Sequence, residues 1–393
     1  MGYTATAKHA LIPWKIRRAC GRLGLTQIKP IGSRRRENSA VRPDSPVELL
    51  KRLQARDSAL TLREKVAHLS RPESYSEKTA AVEVVQTHMS CVFLTDHHAW
   101  KLKKPVRHDF LDFSTLEARR ADCEEELRLN RRLARDVYLE IVPLAVTPDG
   151  AMRVGGDGEV VEWLVKMRRL PAQLMLDHAI RHGNVTQHDV RRFALVLANF
   201  YRRAEPVAMD ATQYRQRLER DIRANHLGLS VPEYSMPLDL VQSVTARQLA
   251  VLEQEASSFD RRVTRGKIVE GHGDLRPEHV CLGPEPLVID CLEFNRDWRL
   301  LDPADELAYL SMECEVAGAP WIGEVVFETY REATGDAPPA AVVRFYKAYR
   351  ASVRAKLSAW HLKDHPDPAD QGKWIARARR YLELADRYAA PAS

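Results

Sequence analysis

Apolar positions in this chain follow two different periods. Val82-Glu83-Val84-Val85-Gln86, Cys91-Val92-Phe93-Leu94-Thr95 and Ala99-Trp100-Lys101-Leu102-Lys103 are short blocks rich in β-branched and aromatic residues, parted by polar turns. That pattern predicts three successive strands. Val137 to Val146 and Val160 to Val165 extend the sheet, separated by the turn Pro148-Asp149-Gly150 and the loop Gly155-Gly156-Asp157-Gly158. Elsewhere the period is helical. Val47, Leu49, Leu50 and Leu53 predict one early helix, and Leu60, Leu62, Val66 and Leu69, with Thr61 as N-cap, predict a second. Between the strands a helix is expected from Ser114, capped there with Glu117 closing a capping box, through Leu116, Cys123, Leu127 and Leu133. After Pro171 helices are expected over 172–182, 187–205 (opened by Thr186 or Gln187), 210–226 and 236–260, then 321–334, 338–362 and 368–389. A small antiparallel sheet followed by a mainly helical region makes an α+β chain.

One stretch breaks the helical run: Gly271 to Glu293, GHGDLRPEHVCLGPEPLVIDCLE. It reads as strand, loop, strand. His272-Gly273-Asp274 opens a tight loop, His279 follows Asp274 by five residues, and Leu287-Val288-Ile289 delivers Asp290. Two carboxylates and an imidazole converge.

Composition narrows the setting. With 45% hydrophobic and 29% charged residues and no uncharged apolar run of spanning length, the chain is expected to be soluble, without a membrane partner. Residues 1–45 hold ten Lys/Arg against two acids, a net of +8, which leaves the rest at about −2 of the +6 total. A remainder so balanced is no nucleic-acid signature. The basic start reads as a disordered extension, and its Arg-rich, acid-poor character also resembles an organellar transit peptide. Six cysteines without a CxxC pair suit a reducing cytoplasm, and His272, His279, Cys281 and Cys291 match no familiar zinc spacing.

The chemistry that fits Gly271–Glu293 is phosphoryl transfer. Such a reaction needs a carboxylate at the attacking hydroxyl and metal ligands whose ions neutralise the transferred phosphate. Asp274 suits the first role; His279 and Asp290 suit the second, with Glu293 assisting metal or substrate. A metal-binding Asn five residues after a catalytic Asp, then a metal-binding Asp on the next strand, is the spacing of the protein-kinase catalytic loop. A hairpin of mere turn formers would explain an isolated HGD, but not the whole register.

The HGDL block, with Asp290-Cys291-Leu292-Glu293-Phe294-Asn295 and Leu301-Asp302-Pro303-Ala304-Asp305-Glu306-Leu307-Ala308 after it, resembles the aminoglycoside phosphotransferase-like kinases, in particular an uncharacterised bacterial group among them. The likeness extends over about residues 46–360, including Lys101-Leu102-Lys103-Lys104-Pro105-Val106 and Cys123 to Leu133. It implies a two-lobed, protein-kinase-like fold: 1–45 an extension, 46–167 early helices with a nucleotide-binding lobe, 168–393 a helical lobe with the catalytic loop. It implies Asp274 as catalytic base and Asp290 as main magnesium ligand. The family usually has Asn where His279 stands, and imidazole prefers softer ions than Mg²⁺, so Mn²⁺ enters as an alternative.

A kinase places its phosphate-binding Lys where Lys101 stands, with Lys103 on the same strand face and Glu126, among Glu124, Glu125 and Glu126, as the expected helix partner. The cover over the phosphates is the glycine-poor turn Thr87-His88-Met89-Ser90, where the hydroxyl or backbone of Ser90 would serve. Glu162 to Met167 is the expected hinge, where backbone groups meet an adenine edge, with Val165 and Met167 as the candidates there and ordinary core or hinge packing the weightier reading of the Met167 side chain. Asp302 and Asp305 are expected to cap a helix reaching about Val316 or to hold the catalytic loop's N–H groups. The cations of Tyr346 to Lys356 read as a solvated helix face or the lining of an anionic-substrate pocket. Some relatives carry a further P-loop domain; no GxxxxGK[ST] occurs in these 393 residues. The function expected is an ATP- and Mg²⁺-dependent kinase acting on a small-molecule hydroxyl. A nucleotide-binding pseudokinase is the alternative, and nucleotidyl transfer to protein a third reading. Neither the acceptor nor an oligomeric state is written in the sequence.

Overall fold

The sheet forms where the short apolar blocks predicted it. Described in the computed structural model are residues 60–108, 111–364 and 368–390; the basic start and the helix expected at Val47–Leu53 lie outside them. The described chain divides into two compact units, one of residues 60–123 and 139–169, the other of 124–138 and 170–390.

The first unit opens on helix α1 (Leu62–Leu69), with Thr61 and Glu64 forming a reciprocal capping box. Its strands are β1 (Glu83–Gln86), β2 (Ser90–Leu94), β3 (His98–Lys103), β4 (Tyr138–Val146), β5 (Met152–Val154) and β6 (Glu159–Arg168), in the sheet order β1-β2-β3-β6-β4-β5. One face buries Leu69, Cys91, Phe93, Trp100, Leu102, Leu144 and Leu164. Each fully buried Leu or Phe there contributes about 1.5–3 kcal/mol. Within this unit Glu162 is buried and accepts from Lys65 Nζ (3.1 Å) and Arg119 Nε (2.8 Å), tying α1 and the following helix to β6. Strand β6 continues through the expected hinge to Arg168, and the unit boundary follows Arg169.

Helix α2 (Leu116–Asn130) is capped one residue later than expected, at Thr115 rather than Ser114. Thr115 Oγ1 accepts from Ala118 N–H at 3.1 Å, whereas Ser114 turns back to Asp112. The Asp112 carboxylate is the stronger acceptor and takes the Ser114 hydroxyl as donor.

The second unit is mainly helical: α3 (Leu176–Arg181), α4 (Gln187–Arg203), α5 (Ala211–Leu229), α6 (Leu238–Gln254), α7 (Ala256–Thr264), α8 (Pro303–Val316), α9 (Trp321–Thr334), α10 (Ala340–Asp364) and α11 (Pro368–Ala389). Thr186 caps α4, and the single helix expected over 236–260 is parted at Glu255. Short ribbons interrupt the helices: β7 (Val269–Glu270) pairs with β10 (Leu300–Leu301), and β8 (Val280–Cys281) with β9 (Leu287–Val288), both antiparallel. They frame the Gly271–Glu293 stretch. Leu176, Val190, Phe193, Leu197, Leu275, Val280, Val288, Leu307 and Leu310 form the core beneath it.

Candidate active site

Gly271 to Asp274 is fixed by its own main chain. Gly271 N–H donates to Arg299 O at 2.7 Å, extending the β7–β10 pairing, and Gly273 takes φ +88°, a left-handed conformation that favours glycine. A Cβ on Gly271 would stand 2.6 Å from Glu306 Oε2. That crowding marks the loop's anchor: Glu306, wholly buried on α8, accepts His272 N–H at 3.0 Å and the Gly273 N–H, and takes the Tyr201 hydroxyl at 2.7 Å. Burial pushes the Glu306 carboxyl up, against these donors.

His272 is structural. Its Nε2–H donates to Ile289 O at 2.9 Å and its Nδ1 accepts Asp274 N–H at 3.3 Å, linking the loop to the segment that carries Asp290. Burial, aided by His279, pulls its pKa down to about 3, so it stays neutral.

Asp274 is the focus. Its Oδ2 lies 2.9 Å from Arg276 Nη2, and its Oδ1 accepts the Tyr309 hydroxyl at 3.1 Å. Burial pushes the carboxyl up, but Arg276, His279 and Arg354 outweigh it and hold the pKa at about 2. The carboxylate stays charged, and about a third of the side chain is exposed.

His279 Nδ1 is 2.7 Å from Asp274 O and its Nε2 is 3.2 Å from Arg276 Nη2. A carbonyl cannot donate and a guanidinium cannot accept, so Nδ1 carries the hydrogen and Nε2 the lone pair. Asp290 Oδ2 is 3.5 Å from that Nε2. Asp290 itself has φ +60°, unusual for a non-glycine residue, and its N–H donates to Tyr138 Oη at 3.0 Å. Strain of this kind collects at functional sites. Beside it, Cys291 N–H donates to Asn130 Oδ1 at 2.9 Å, while Arg132 holds Glu270 O (2.8 Å) and Gly271 O (2.7 Å). Asp274, His279 and Asp290 are thus brought together. Glu293 is placed by its main chain, its carbonyl accepting from Arg299 Nη1 at 2.9 Å. Among the described residues no group of three or more His, Cys, Asp or Glu side chains is placed to hold a metal ion.

In the sheet unit the other named residues share a face. Register pairs Lys101 with Val92 and Val165, Ala99 with Met167, and Lys103 with Ser90. Directly paired residues point to the same side. Ser90, Lys101, Lys103, Val165 and Met167 therefore lie opposite the Trp100–Leu102 core face. Lys103, almost wholly buried, pairs with Asp122 at 2.5 Å. Ser90 N–H and hydroxyl both meet Thr87 Oγ1, at 3.0 and 2.9 Å, closing the turn. Glu126 is fully buried, in the helical unit.

Sequence reasoning missed Glu306, Tyr309 and Arg276. Asp302 caps α8 through Ala304 N–H (2.9 Å) and binds Arg262 with both oxygens (2.6 and 2.7 Å); Asp305 holds Arg350 at 2.6 Å through each oxygen. The loop's N–H groups go to Glu306 instead, one position further on. Arg350 and Arg354 line no solvated face: both are buried against α8, Arg354 on Glu313 at 2.9 Å. The acid-rich start of α8 was the available signal, but only packing says which acid turns toward the loop.

No family model matches the chain. Uncharacterized proteins of Mycobacterium tuberculosis and Mycobacterium bovis are 34% identical over 312 residues, 78% of this chain; the chain spans 59% of their length. Solved structures similar to the chain share little sequence with it. They include a choline kinase from Streptococcus pneumoniae (TM-score 0.49, 15% identity, 82% of this chain and 97% of that one) and a putative aminoglycoside phosphotransferase from Ralstonia eutropha (0.47, 14%, 83% and 97%). A choline/ethanolamine kinase family protein from Mesorhizobium loti is similar too (0.46, 18%, 83% and 99%).

Proposed function

We propose that this chain is an ATP- and divalent-metal-dependent phosphotransferase acting on a hydroxyl of a small molecule. The observation that carries this is Asp274: a carboxylate held ionised, aimed by Tyr309 and Arg276, partly open, and gathered with a strained Asp290. Its pKa of about 2 makes it a weak base. It serves by accepting and orienting the acceptor's O–H, and the proton moves late, as suits the loose transition state of phosphoryl transfer.

Lys101 is assigned to the nucleotide phosphates, with Glu126 supporting it, Ser90 and Lys103 flanking it, and Val165 and Met167 at the base. The Asp290 carboxylate suits a hard ion such as Mg²⁺ or Mn²⁺, which takes few protein ligands and completes its shell with phosphates and water. Bound there, the ion would neutralise phosphate charge, with Glu293 assisting. For the acceptor we assign a cavity of about 450 Å³ in the helical unit, lined by Pro277, Glu278, Glu313, Arg377, Arg380 and Tyr381 among others. Its size suits a small molecule, and Glu278 is two residues from the Asp274 partner Arg276.

Isothermal titration with ATP, with and without Mg²⁺ or Mn²⁺, followed by ³¹P NMR of ADP release in a pooled metabolite extract, tests the reading. Metal-dependent binding with extract-stimulated ADP release is expected, and Asp274→Asn should lower turnover by about 10²–10⁴-fold with nucleotide affinity nearly intact. Binding without turnover would favour a pseudokinase; wild-type turnover by the variant would overturn the role of Asp274.

A further inference from the structure

Three carboxylates stand in the wall of the cavity assigned to the acceptor, and each already has its cation. Asp177 pairs with Arg181 at 2.8 Å, Glu278 with Arg276, and Glu313 with Arg354 at 2.9 Å, while both Glu313 oxygens accept the Tyr381 hydroxyl at 3.0 and 2.9 Å. A matched ion pair presents little net charge to a third ion. The positive side of the wall is different. Arg377 and Arg380 stand three residues apart on α11, a spacing that puts both on one side of the helix, and both line the cavity. Arg380 donates from Nη2 to Val316 O at 3.0 Å, at the end of α8, and among the described residues it makes no ion pair. Arg377 lies over the rings of Trp374 and Tyr381, 5.7 Å from each centroid. Ring stacking holds the plane of a guanidinium without using its edge N–H groups. Arg350 and Arg354, which the sequence offered for an anionic-substrate pocket, are committed to α8. Two cations from the last helix stand at the cavity instead.

We infer that the acceptor is an anion, a hydroxyl compound whose carboxylate or phosphate group is held by Arg377 and Arg380 while its hydroxyl meets Asp274. This deepens the kinase reading above and rests on it. Two like charges on one helix face repel each other, and an oxyanion bound by both removes that cost. The planar fork of each guanidinium matches the paired oxygens of a carboxylate or a phosphate. A cationic acceptor would meet the same two guanidiniums with every acid of the wall already matched. The cavity also connects to the reacting end: Glu278 holds Arg276, which contacts Asp274 at 2.9 Å, and Glu313 holds Arg354, whose charge helps keep Asp274 ionised.

The test uses the full chain with ATP and Mg²⁺. A pooled metabolite extract, stripped of nucleotides on charcoal, is passed over an anion exchanger at neutral pH, and the retained and unretained fractions are assayed for ADP formation by ³¹P NMR. Turnover that Asp274→Asn abolishes is expected with the retained fraction. Turnover only with the unretained fraction, which holds cations, zwitterions and neutral compounds, would overturn the inference and leave the kinase reading standing. Phosphatase treatment of the retained fraction separates the two sources: loss of activity marks a phosphate ester, and survival marks a carboxylate. Arg377→Gln combined with Arg380→Gln should raise the amount of that fraction needed for half-maximal rate about tenfold or more, with ATP affinity in calorimetry within about threefold. Arg380→Gln alone, at an exposed position, should give part of that shift, and lysine at both positions should keep part of the binding. An unchanged requirement in both glutamine variants would overturn the inference. Turnover with neither fraction would sink the kinase reading and this inference together.

Discussion

At the scale of single residues, burial decides which groups carry charge. His272 is neutral because its folded pKa lies near 3, well below the ordinary 6.5. Between those values the unfolded chain binds a proton that the native chain does not, so stability rises with pH and falls on acidification. Asp274 behaves differently: its folded pKa of about 2 lies below the ordinary 3.8, so its contribution is in place above pH 3.8 and fades only as pH drops toward 2. Acidification from pH 6.5 to 5 should therefore cost about 2 kcal/mol through His272 alone. Urea titrations across that range check this, and His272→Gln should flatten the slope. His272 and Asp274 were both legible in the sequence as a pair of loop residues, but their opposite electrostatic fates were not. Those come from Arg276, Arg354 and the depth of the site.

At the scale of elements, α8 works as the anchor of the Gly271–Asp274 loop. Glu306→Ala would leave two buried N–H groups and the Tyr201 hydroxyl without their acceptor, a loss of about 2–4 kcal/mol, read by thermal or urea unfolding. Gly271→Ala should act on the same contact from the other side, since its Cβ would meet Glu306 Oε2 at 2.6 Å and Leu301 Cδ1 at 2.9 Å. The overpacking should cost about 1–3 kcal/mol. The proposed function divides two tasks between the two lysines of strand β3. Lys103→Met removes the cation 2.5 Å from Asp122 in a nearly dry setting and should destabilise the fold by about 3–5 kcal/mol. Lys101→Met should instead weaken ATP binding, by about tenfold or more, in calorimetry. An outcome with the two effects exchanged would reassign the phosphate lysine. The strand itself and the common face of both lysines followed from alternation. Which lysine has Asp122 as its partner did not, because that partner comes from α2 and is set by helix rotation rather than by spacing along the chain.

At the scale of the molecule, ligand binding and folding are linked. A nucleotide that binds only the folded chain adds about 2.7 kcal/mol at a hundredfold excess over its Kd. ATP with Mn²⁺ should raise the unfolding temperature more than ATP alone, and Asp290→Asn should remove the difference; an equal shift with and without metal in the wild-type chain would speak against Asp290 as ligand.

Period and spacing along the chain were enough for the α+β character, the strand and helix order, and the gathering of Asp274, His279 and Asp290, because both are local properties that short-range geometry translates directly. The cap of α2, the acid that holds the loop, and the partners of Arg276, Arg350 and Arg354 were decided only in the tertiary structure. A buried charge must find an opposite charge or a hydrogen bond wherever packing puts one, and among Asp302, Asp305 and Glu306 that choice depends on which side of α8 faces the loop. His279 shows the division most plainly: its position was written in the chain, and its lone pair was claimed by a guanidinium three residues away that only folding turned toward it.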